Sequence, residues 1–171
     1  MKRLFISFCV ILSLLLSSKC MAQNWSNYLQ FEGGLGLAGN GIDGCLFQAE
    51  YGKTYKALDF GLSLAWESTQ QSYIIDYNDT QSRVYSDAEP FLIAMFNARF
   101  DLVKLFKKNA RDSFKIGGGF GCATQFDELI PVGAVSLSYE YRITPDISFG
   151  TFYKFDIMEM GVVGLSVRRN F

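Results

Sequence analysis

Acidic and basic residues recur at alternate positions of several extended segments in this 171-residue chain. Alternate residues of a strand share one face, and the other residues on that face are mainly Gly, Ser and Ala. One chemistry open to such a face is a network of ion pairs in a narrow interior, where an unpaired charge is costly. We predict that this network contains Glu32, Glu50, Asp59, Arg99, Lys115, Glu140, Arg142, Lys154 and Arg168. It would either plug the interior as a structural core or line a selective conduit.

Two other patterns resemble ligand sites but lack a required residue. Residues 117–121 read Gly-Gly-Gly-Phe-Gly, yet no Lys followed by Ser or Thr completes a phosphate-binding loop. Asp76, Asn78 and Asp87 offer oxygen atoms suited to calcium, but the Gly of a calcium loop is missing. We therefore expect close strand packing or a bend at 117–121 and a solvated loop at the three polar residues. We predict no cofactor and no metal.

Period-two alternation is the main secondary-structure signal, and the helical period is nearly absent. The clearest segment alternates Leu58, Phe60, Leu62, Leu64 and Trp66 with Asp59, Gly61, Ser63, Ala65 and Glu67. Seven other segments alternate in the same way: 28–37, 45–51, 92–101, 114–122, 135–143, 147–156 and 161–171. The sequence thus predicts eight strands, of which the last would pair with the first.

The connections between these strands differ in length. Tight turns are predicted at 39–41, 52–54 and 144–146, and a loop is predicted at 125–131. Residues 68–87 are polar and indicate a long loop or a protruding hairpin. In the connection 103–112 four basic residues fall at helical spacing: Lys104, Lys107, Lys108 and Arg111. They fit either one turn of helix touching lipid phosphates or a solvated turn.

Eight alternating strands fit either a soluble lipocalin-like barrel or a membrane barrel, which differ in the face that looks outward. A solvated outer face would carry many long charged side chains, whereas here the polar face is dominated by small residues. Charged residues make up 19% of the chain and aromatic residues 16%, which favours lipid-facing strands. The predicted fold is all-β: an eight-stranded antiparallel up-and-down transmembrane β-barrel with a polar, filled lumen.

Outward-facing aromatic residues would form two girdles at the membrane surfaces, where aromatic side chains are favoured. If the N-terminus starts in the periplasm, one girdle lies at the periplasmic rim and the other at the outer rim. The periplasmic girdle would contain Tyr51, Tyr139, Tyr141 and Phe171, and the outer one Trp66, Tyr153 and Phe155.

Residues 1–22 have the pattern of a cleaved signal peptide. Lys2 and Arg3 precede an apolar run that is too short to span a bilayer as a helix, and small residues near Ala22 suit a signal peptidase. We predict that residues 23–171 form one mature domain. Removing the three basic residues of the signal from the 16 in the chain leaves 13 against 17 acidic residues. This balance does not indicate nucleic-acid binding.

Two cysteines, Cys45 and Cys122, remain in the predicted mature chain. Both lie on the apolar faces of strands that would not be neighbours in an up-and-down order. We predict two free, lipid-facing thiols that behave as small hydrophobic residues. A single disulfide in an oxidising compartment is the alternative.

The predicted signal, the eight amphipathic strands, the short turns and Phe171 resemble the small outer-membrane β-barrel proteins, the outer-membrane protein X-like and A-type transmembrane domain families. The resemblance implies an outer-membrane location in a Gram-negative bacterium, with both termini in the periplasm. It also implies that the barrel-assembly machinery reads Val163, Leu165, Val167 and Phe171 as an assembly signal. Arg169 departs from that pattern, because another hydrophobic residue would be usual there.

The absence of histidine bears on function. Resemblance to outer-membrane enzymes would require a catalytic His, the usual base at neutral pH, so we predict that the chain is not an enzyme. The main hypothesis is a structural or surface-interaction barrel whose residues 68–87 contact a partner of unknown identity. The alternatives are a narrow channel for small solutes and a soluble periplasmic lipocalin-like carrier. Outer-membrane lipid and the barrel-assembly machinery are the partners expected.

Overall fold

A computed structural model describes residues 25–38, 41–69, 71–77, 80–86, 90–107, 109–125, 128–156 and 161–171. The predicted signal peptide and part of the turn at 39–41 lie outside the described residues. None of the helices in the described part of the chain is long and apolar enough to cross a membrane. The elements are β1 (Trp25–Ala38), β2 (Gly41–Tyr55), β3 (Leu58–Thr69), β4 (Gln71–Tyr77), β5 (Thr80–Ser86), β6 (Phe91–Asp101), α1 (Leu102–Phe106), β7 (Asp112–Gln125), β8 (Glu128–Arg142), β9 (Ile147–Asp156) and β10 (Gly161–Asn170).

Eight of the strands close into one antiparallel barrel in the order β1-β10-β9-β8-β7-β6-β3-β2. The barrel closes between β10 and β1, whose pairing runs from Tyr28 opposite Asn170 to Leu37 opposite Gly161. Closure leaves no free sheet edge within the barrel. The predicted eight-stranded antiparallel up-and-down fold is therefore confirmed.

The strands β4 and β5 form a separate two-stranded sheet, because β3 pairs directly with β6 on the barrel wall. Of the two possibilities predicted for residues 68–87, the structure has the hairpin. Asp76 lies in β4, whereas Asn78 and Asp87 lie outside the described residues. Asp76, which was predicted to lie in a solvated loop, therefore lies in a strand.

Two predicted connections are wrong because the strand ladders extend past the apolar pattern. Residues 52–54 lie inside β2, and the turn follows at Lys56, with φ of 54°, and Ala57. Residues 128–131, predicted as part of a loop, belong to β8, whose pairing with β7 continues to Gln125 opposite Glu128. Ladder hydrogen bonds use backbone groups, so they do not depend on the side-chain alternation from which the strands were predicted.

The connection that carries the four basic residues contains one short helix, and these residues do not all lie in it. Asp101 caps α1 by accepting hydrogen bonds from the backbone N–H groups of Val103 and Lys104. Lys107 is already extended at the C-terminal cap, so Lys104 is the basic residue inside the helix. Arg111 lies beyond the helix, and Lys108 lies outside the described residues.

The barrel has two distinct ends. We call the end that carries Trp25, Phe171, α1 and the turns 56–57 and 143–146 the termini end, and the end that carries β4 and β5 the hairpin end. Most buried polar side chains lie in the half of the interior near the termini end, whereas buried Glu67 and Lys154 lie near the hairpin end, opposite Leu46 and Val162. An apolar cluster occupies the half near the hairpin end: Leu46, Ala65, Phe91, Ile93, Met95, Ala123, Val132, Phe152 and Val162. The interior is therefore divided into a polar half and a mainly apolar half, whereas the sequence predicted polar filling throughout.

Candidate functional site in the barrel interior and on its outer face

The first part of the polar half is centred on Glu50 and Arg99, which form a buried ion pair between β2 and β6. Glu50 also accepts hydrogen bonds from Tyr28 Oη at 2.5 Å and from Asn97 Nδ2 at 2.7 Å. Arg99 donates to Gln30 Oε1 at 3.0 Å. These groups come from three strands, so the pairing satisfies the buried charges and ties the wall together across the lumen.

The second part of the polar half is centred on Asp59. Arg168 Nη1 donates to Asp59 Oδ2 at 2.5 Å, and Lys115 Nζ lies 2.9 Å from the same oxygen. Lys115 in turn contacts both oxygens of Glu140 at 2.8 Å. Thr54 Oγ1 donates to Asp59 Oδ1 at 2.6 Å and accepts from Arg168 Nη2 at 2.6 Å. Each buried charge in this part faces one of opposite sign, which offsets the cost of removing it from water.

Tyr28 joins the two parts. Its hydroxyl bonds Glu50 in the first part, and the guanidinium carbon of Arg168 in the second part lies 3.8 Å from the centre of its ring. Space for the phenol comes from Gly52 and Gly61, because a Cβ at either position would lie within 2.6 Å of Tyr28 Oη. The glycine that suggested a turn at 52–54 thus serves close packing inside a strand.

The structure buries eight of the nine residues predicted for the network, each with 8% exposure or less. They comprise four carboxylates and four cations: Glu32, Glu50, Asp59, Glu140, Arg99, Lys115, Lys154 and Arg168. Lys154 lies farther towards the hairpin end, where Nζ donates to Gln48 Oε1 at 2.9 Å. Arg142 is the exception, because it is half-buried at the end of β8 and its backbone N–H donates to Arg111 O at 2.8 Å. Alternation predicted the face of Arg142 but not its height along the barrel, and the residue lies at the rim.

Several uncharged members of the network were missed: Tyr28, Gln30, Gln48, Thr54 and Asn97. All of them lie on the same alternating face as the charged residues. They could therefore have been predicted by including every hydrogen-bonding side chain on that face, instead of the ionisable side chains alone.

The apolar half of the interior is filled by side chains from seven barrel strands. Phe152 lies against Gly34 and Gly164, where a Cβ would come within 3.0 Å and 2.7 Å of its ring. The Gly-rich residues 117–121 lie in β7, paired on both sides with β6 and β8. They form continuous sheet, as expected from close strand packing, and leave no phosphate loop there.

The outer face of the barrel exposes large apolar side chains from every barrel strand. The residues predicted for the girdles are all exposed by 40% to 58%: Tyr51, Trp66, Tyr139, Tyr141, Tyr153, Phe155 and Phe171. Aromatic contacts that the sequence did not predict accompany them, with Trp25 stacked on Tyr55 at 5.0 Å between ring centres and Phe47 at 5.9 Å from Trp66.

The residues predicted as an assembly signal lie on the outward face of β10 or directly after it. Val163, Leu165, Val167 and Phe171 are exposed by 43% to 58%. Phe171 is held by backbone bonds, since its N–H donates to Asn27 O and its carbonyl accepts from Asn27 N–H, both at 3.0 Å. The barrel seam therefore extends through the last residue of the sequence.

Both described cysteines are free. Cys45 lies between Leu35 of β1 and Ser68 of β3, whereas Cys122 lies between Ala94 of β6 and Pro131 of β8. Their strands are not neighbours on the wall, so the structure has no disulfide between them.

Comparison with known proteins shows similarity to solved structures in fold. No protein-family model matches the sequence, and a comparison with curated proteins finds no match. The chain is similar to the crystal structure of Neisserial surface protein A, NspA, with a TM-score of 0.56 and 11% identity over 86% of this chain and 96% of that one. It is also similar to a de novo designed transmembrane β-barrel, with a TM-score of 0.52 and 11% identity over 87% of this chain and 98% of that one. The chain thus has the fold of the small transmembrane β-barrels, as its sequence predicted.

Proposed function

We propose that this chain is an integral outer-membrane β-barrel with a structural or surface-interaction role. The observation that carries the proposal is the distribution of polarity: ion pairs lie inside a closed barrel and large apolar side chains cover its outside. Soluble monomers rarely expose continuous apolar surface of this extent. A closed barrel satisfies its backbone hydrogen bonds internally, which hydrocarbon requires of any spanning structure.

The connections support an orientation with both termini in the periplasm. Two of the three connections at the termini end are short turns, residues 56–57 between β2 and β3 and residues 143–146 between β8 and β9, and the third carries α1. The β4–β5 hairpin extends from the opposite end. Outer-membrane barrels have short periplasmic turns and longer extracellular connections, so we place the hairpin outside the cell. It is then the region best placed to meet a partner, and NspA, whose fold is similar, is named a surface protein.

The filled interior favours this role over the channel and the carrier. Ion pairs occupy one half and the apolar cluster the other, and eight strands enclose little more than their own side chains. In a planar bilayer we expect no steady unit conductance above that of empty lipid. A reproducible unit conductance would overturn the structural role in favour of the channel.

Location is tested by fractionating cells that express the full chain. We expect signal cleavage near Ala22, recovery in the outer-membrane fraction and faster gel migration without boiling than after it. A soluble band with unshifted migration would overturn the membrane proposal and favour the carrier.

Orientation is tested on intact cells with an epitope inserted in the hairpin between residues 77 and 80. We expect antibody to bind these cells, whereas the same epitope in the turn 143–146 requires permeabilised cells. The reverse pattern would contradict the assignment of the hairpin to the outside.

A further inference from the structure

The connection between β6 and β7 is fixed to the termini end of the barrel. Asp101 accepts from the backbone N–H groups of Val103 at 3.0 Å and Lys104 at 3.1 Å. The same carboxylate accepts from Ser113 Oγ of β7 at 2.6 Å. One buried carboxylate thus holds α1 against the wall, so the direction of each helical side chain is set by the barrel.

Lys104 is directed towards the barrel interior. Its Nζ lies 3.6 Å from Asp101 Oδ2, and its side chain is 22% exposed. Burial lowers the pKa of Lys104, while Asp59 and Asp101 oppose that effect. Because successive residues of a helix are rotated by roughly 100°, Phe106 points away from the side on which Lys104 lies.

Phe106 is indeed 90% exposed, and Leu105 is 53% exposed. Two apolar side chains therefore project from the termini end instead of packing against the barrel. Exposed basic residues flank them, Lys107 directly after the helix and Arg111 directly before β7.

Arg111 lies at the height of the tyrosines at this rim. Its carbonyl accepts from the backbone N–H of Arg142, and the next residue, Asp112, accepts from Tyr139 Oη at 2.6 Å. Asp112 also lies opposite Tyr141 in the ladder. Exposed tyrosines mark the depth of the headgroups in membrane barrels, which places Arg111 at phosphate height.

We propose that Leu105, Phe106, Lys107 and Arg111 form an interfacial anchor in which Leu105 and Phe106 insert among the lipids of the periplasmic leaflet and Lys107 and Arg111 bind the phosphate of an anionic phospholipid. The proposal rests on the membrane location proposed above. Lipid is the occupant favoured because the exposed pair lies at the end of a barrel whose outer face is apolar, and is bordered by cations, a composition that suits headgroup interfaces.

Depth is tested with single-tryptophan variants of the reconstituted barrel. Trp25 and Trp66 are replaced by Phe, and a Trp is introduced as Phe106→Trp or, in a control, as Leu64→Trp. Leu64 is 61% exposed in the middle of β3. In phosphatidylcholine vesicles with lipids brominated near the headgroup or deep in the chain, we expect Phe106→Trp to be quenched more by the shallow label and Leu64→Trp more by the deep one.

The two variants distinguish a failure of the proposed anchor from a failure of the proposed membrane location. If the Leu64→Trp fluorescence is quenched but the Phe106→Trp fluorescence is not, the anchor is wrong while the membrane barrel stands. That outcome would leave α1 facing water or a periplasmic protein. If neither is quenched in protein that still shows heat-modifiable migration, the membrane location itself fails and the anchor with it.

Headgroup selectivity is tested with vesicles that contain phosphatidylglycerol and phosphatidylcholine, with bromine on only one of the two lipids. We expect stronger quenching of Phe106→Trp by the brominated phosphatidylglycerol. In Lys107→Gln/Arg111→Gln this preference should fall by up to about fivefold per charge removed at low salt. Equal quenching by both lipids with the basic residues present would overturn the anionic-lipid site.

Discussion

The guanidinium carbon of Arg168 on β10 lies 3.8 Å from the centre of the Tyr28 ring on β1. These are the two strands whose pairing closes the barrel. Arg168 also binds Asp59 of β3, and Tyr28 also binds Glu50 of β2. One pair of side chains therefore links the seam to both parts of the buried network.

Replacing Arg168 should strongly destabilise the barrel. Arg168→Met removes the cation above Tyr28 and leaves Asp59 with Lys115 as its remaining cation. Breaking a buried ion pair costs about 3 to 5 kcal/mol, and we expect a loss near the lower figure because Lys115 stays in place. Urea unfolding of the reconstituted protein, followed by tryptophan fluorescence, measures this loss.

The neighbouring arginine provides the control. Arg169 is exposed on the outer face of β10, so Arg169→Met should change the unfolding free energy by less than about 0.5 kcal/mol. Equal losses of unfolding free energy in the two variants would show that stability depends on positive charge at the end of β10 and not on the buried network.

Removing the hydroxyl of Tyr28 tests the link to Glu50 separately. Tyr28→Phe keeps the ring below Arg168 but removes the 2.5 Å hydrogen bond. A hydrogen bond to a charged group contributes about 1.5 to 3 kcal/mol, so the unfolding free energy should fall by that amount. A double-mutant cycle with Glu50→Gln should show coupling between the two substitutions, and additive effects would contradict the bond.

Two glycines of the seam should respond differently to alanine. A Cβ at Gly164 would meet Gly34 Cα at 2.6 Å and the Phe152 ring at 2.7 Å, whereas a Cβ at Gly33 would meet Phe47 at an ordinary 3.8 Å. Overpacking typically costs about 1 to 3 kcal/mol, so Gly164→Ala should destabilise the barrel by this amount. Gly33→Ala should be neutral or stabilising in the same urea titration, and equal effects would contradict the packing described.

Deletion of Phe171 should impair assembly more than export. Phe171 is exposed and pairs with Asn27 through two backbone hydrogen bonds. We expect less heat-modifiable protein in the outer membrane and unchanged appearance of the processed chain in the periplasm. Phe171→Tyr keeps an aromatic terminus and should assemble normally. Full assembly of the deletion variant would count against the predicted assembly signal.

The strand pattern could be predicted because each barrel strand has one face of large apolar side chains and one face of small or polar side chains. Alternation at 58–67, for example, was sufficient to place Asp59 inside and Leu64 outside. Strand ends could not be predicted in the same way, since Gly52 has the appearance of a turn residue yet lies in β2 beside Tyr28.

Contacts across the lumen could not be predicted from the sequence either. The pairing of Lys154 with Gln48, and the apolar cluster near the hairpin end, depend on the heights that the strand stagger gives to each residue. Alternation gives the face of a residue but not its height, which is why Arg142 was predicted inside and lies at the rim.

The free thiol of Cys122 tests most directly whether lipid covers the outer face of the barrel. Cys122 is exposed on the barrel surface, so lipid alone would protect it. Permeabilised cells are treated with a charged, membrane-impermeant maleimide; Cys122 is read in a Cys45→Ala variant, and Asp146→Cys in a Cys45→Ala/Cys122→Ala background is the accessible control, because Asp146 is exposed in the turn 143–146. We expect Asp146→Cys to react in the native protein and Cys122 to react only after denaturation. Rapid labelling of Cys122 in the native protein would show that water covers this face and would contradict the membrane barrel.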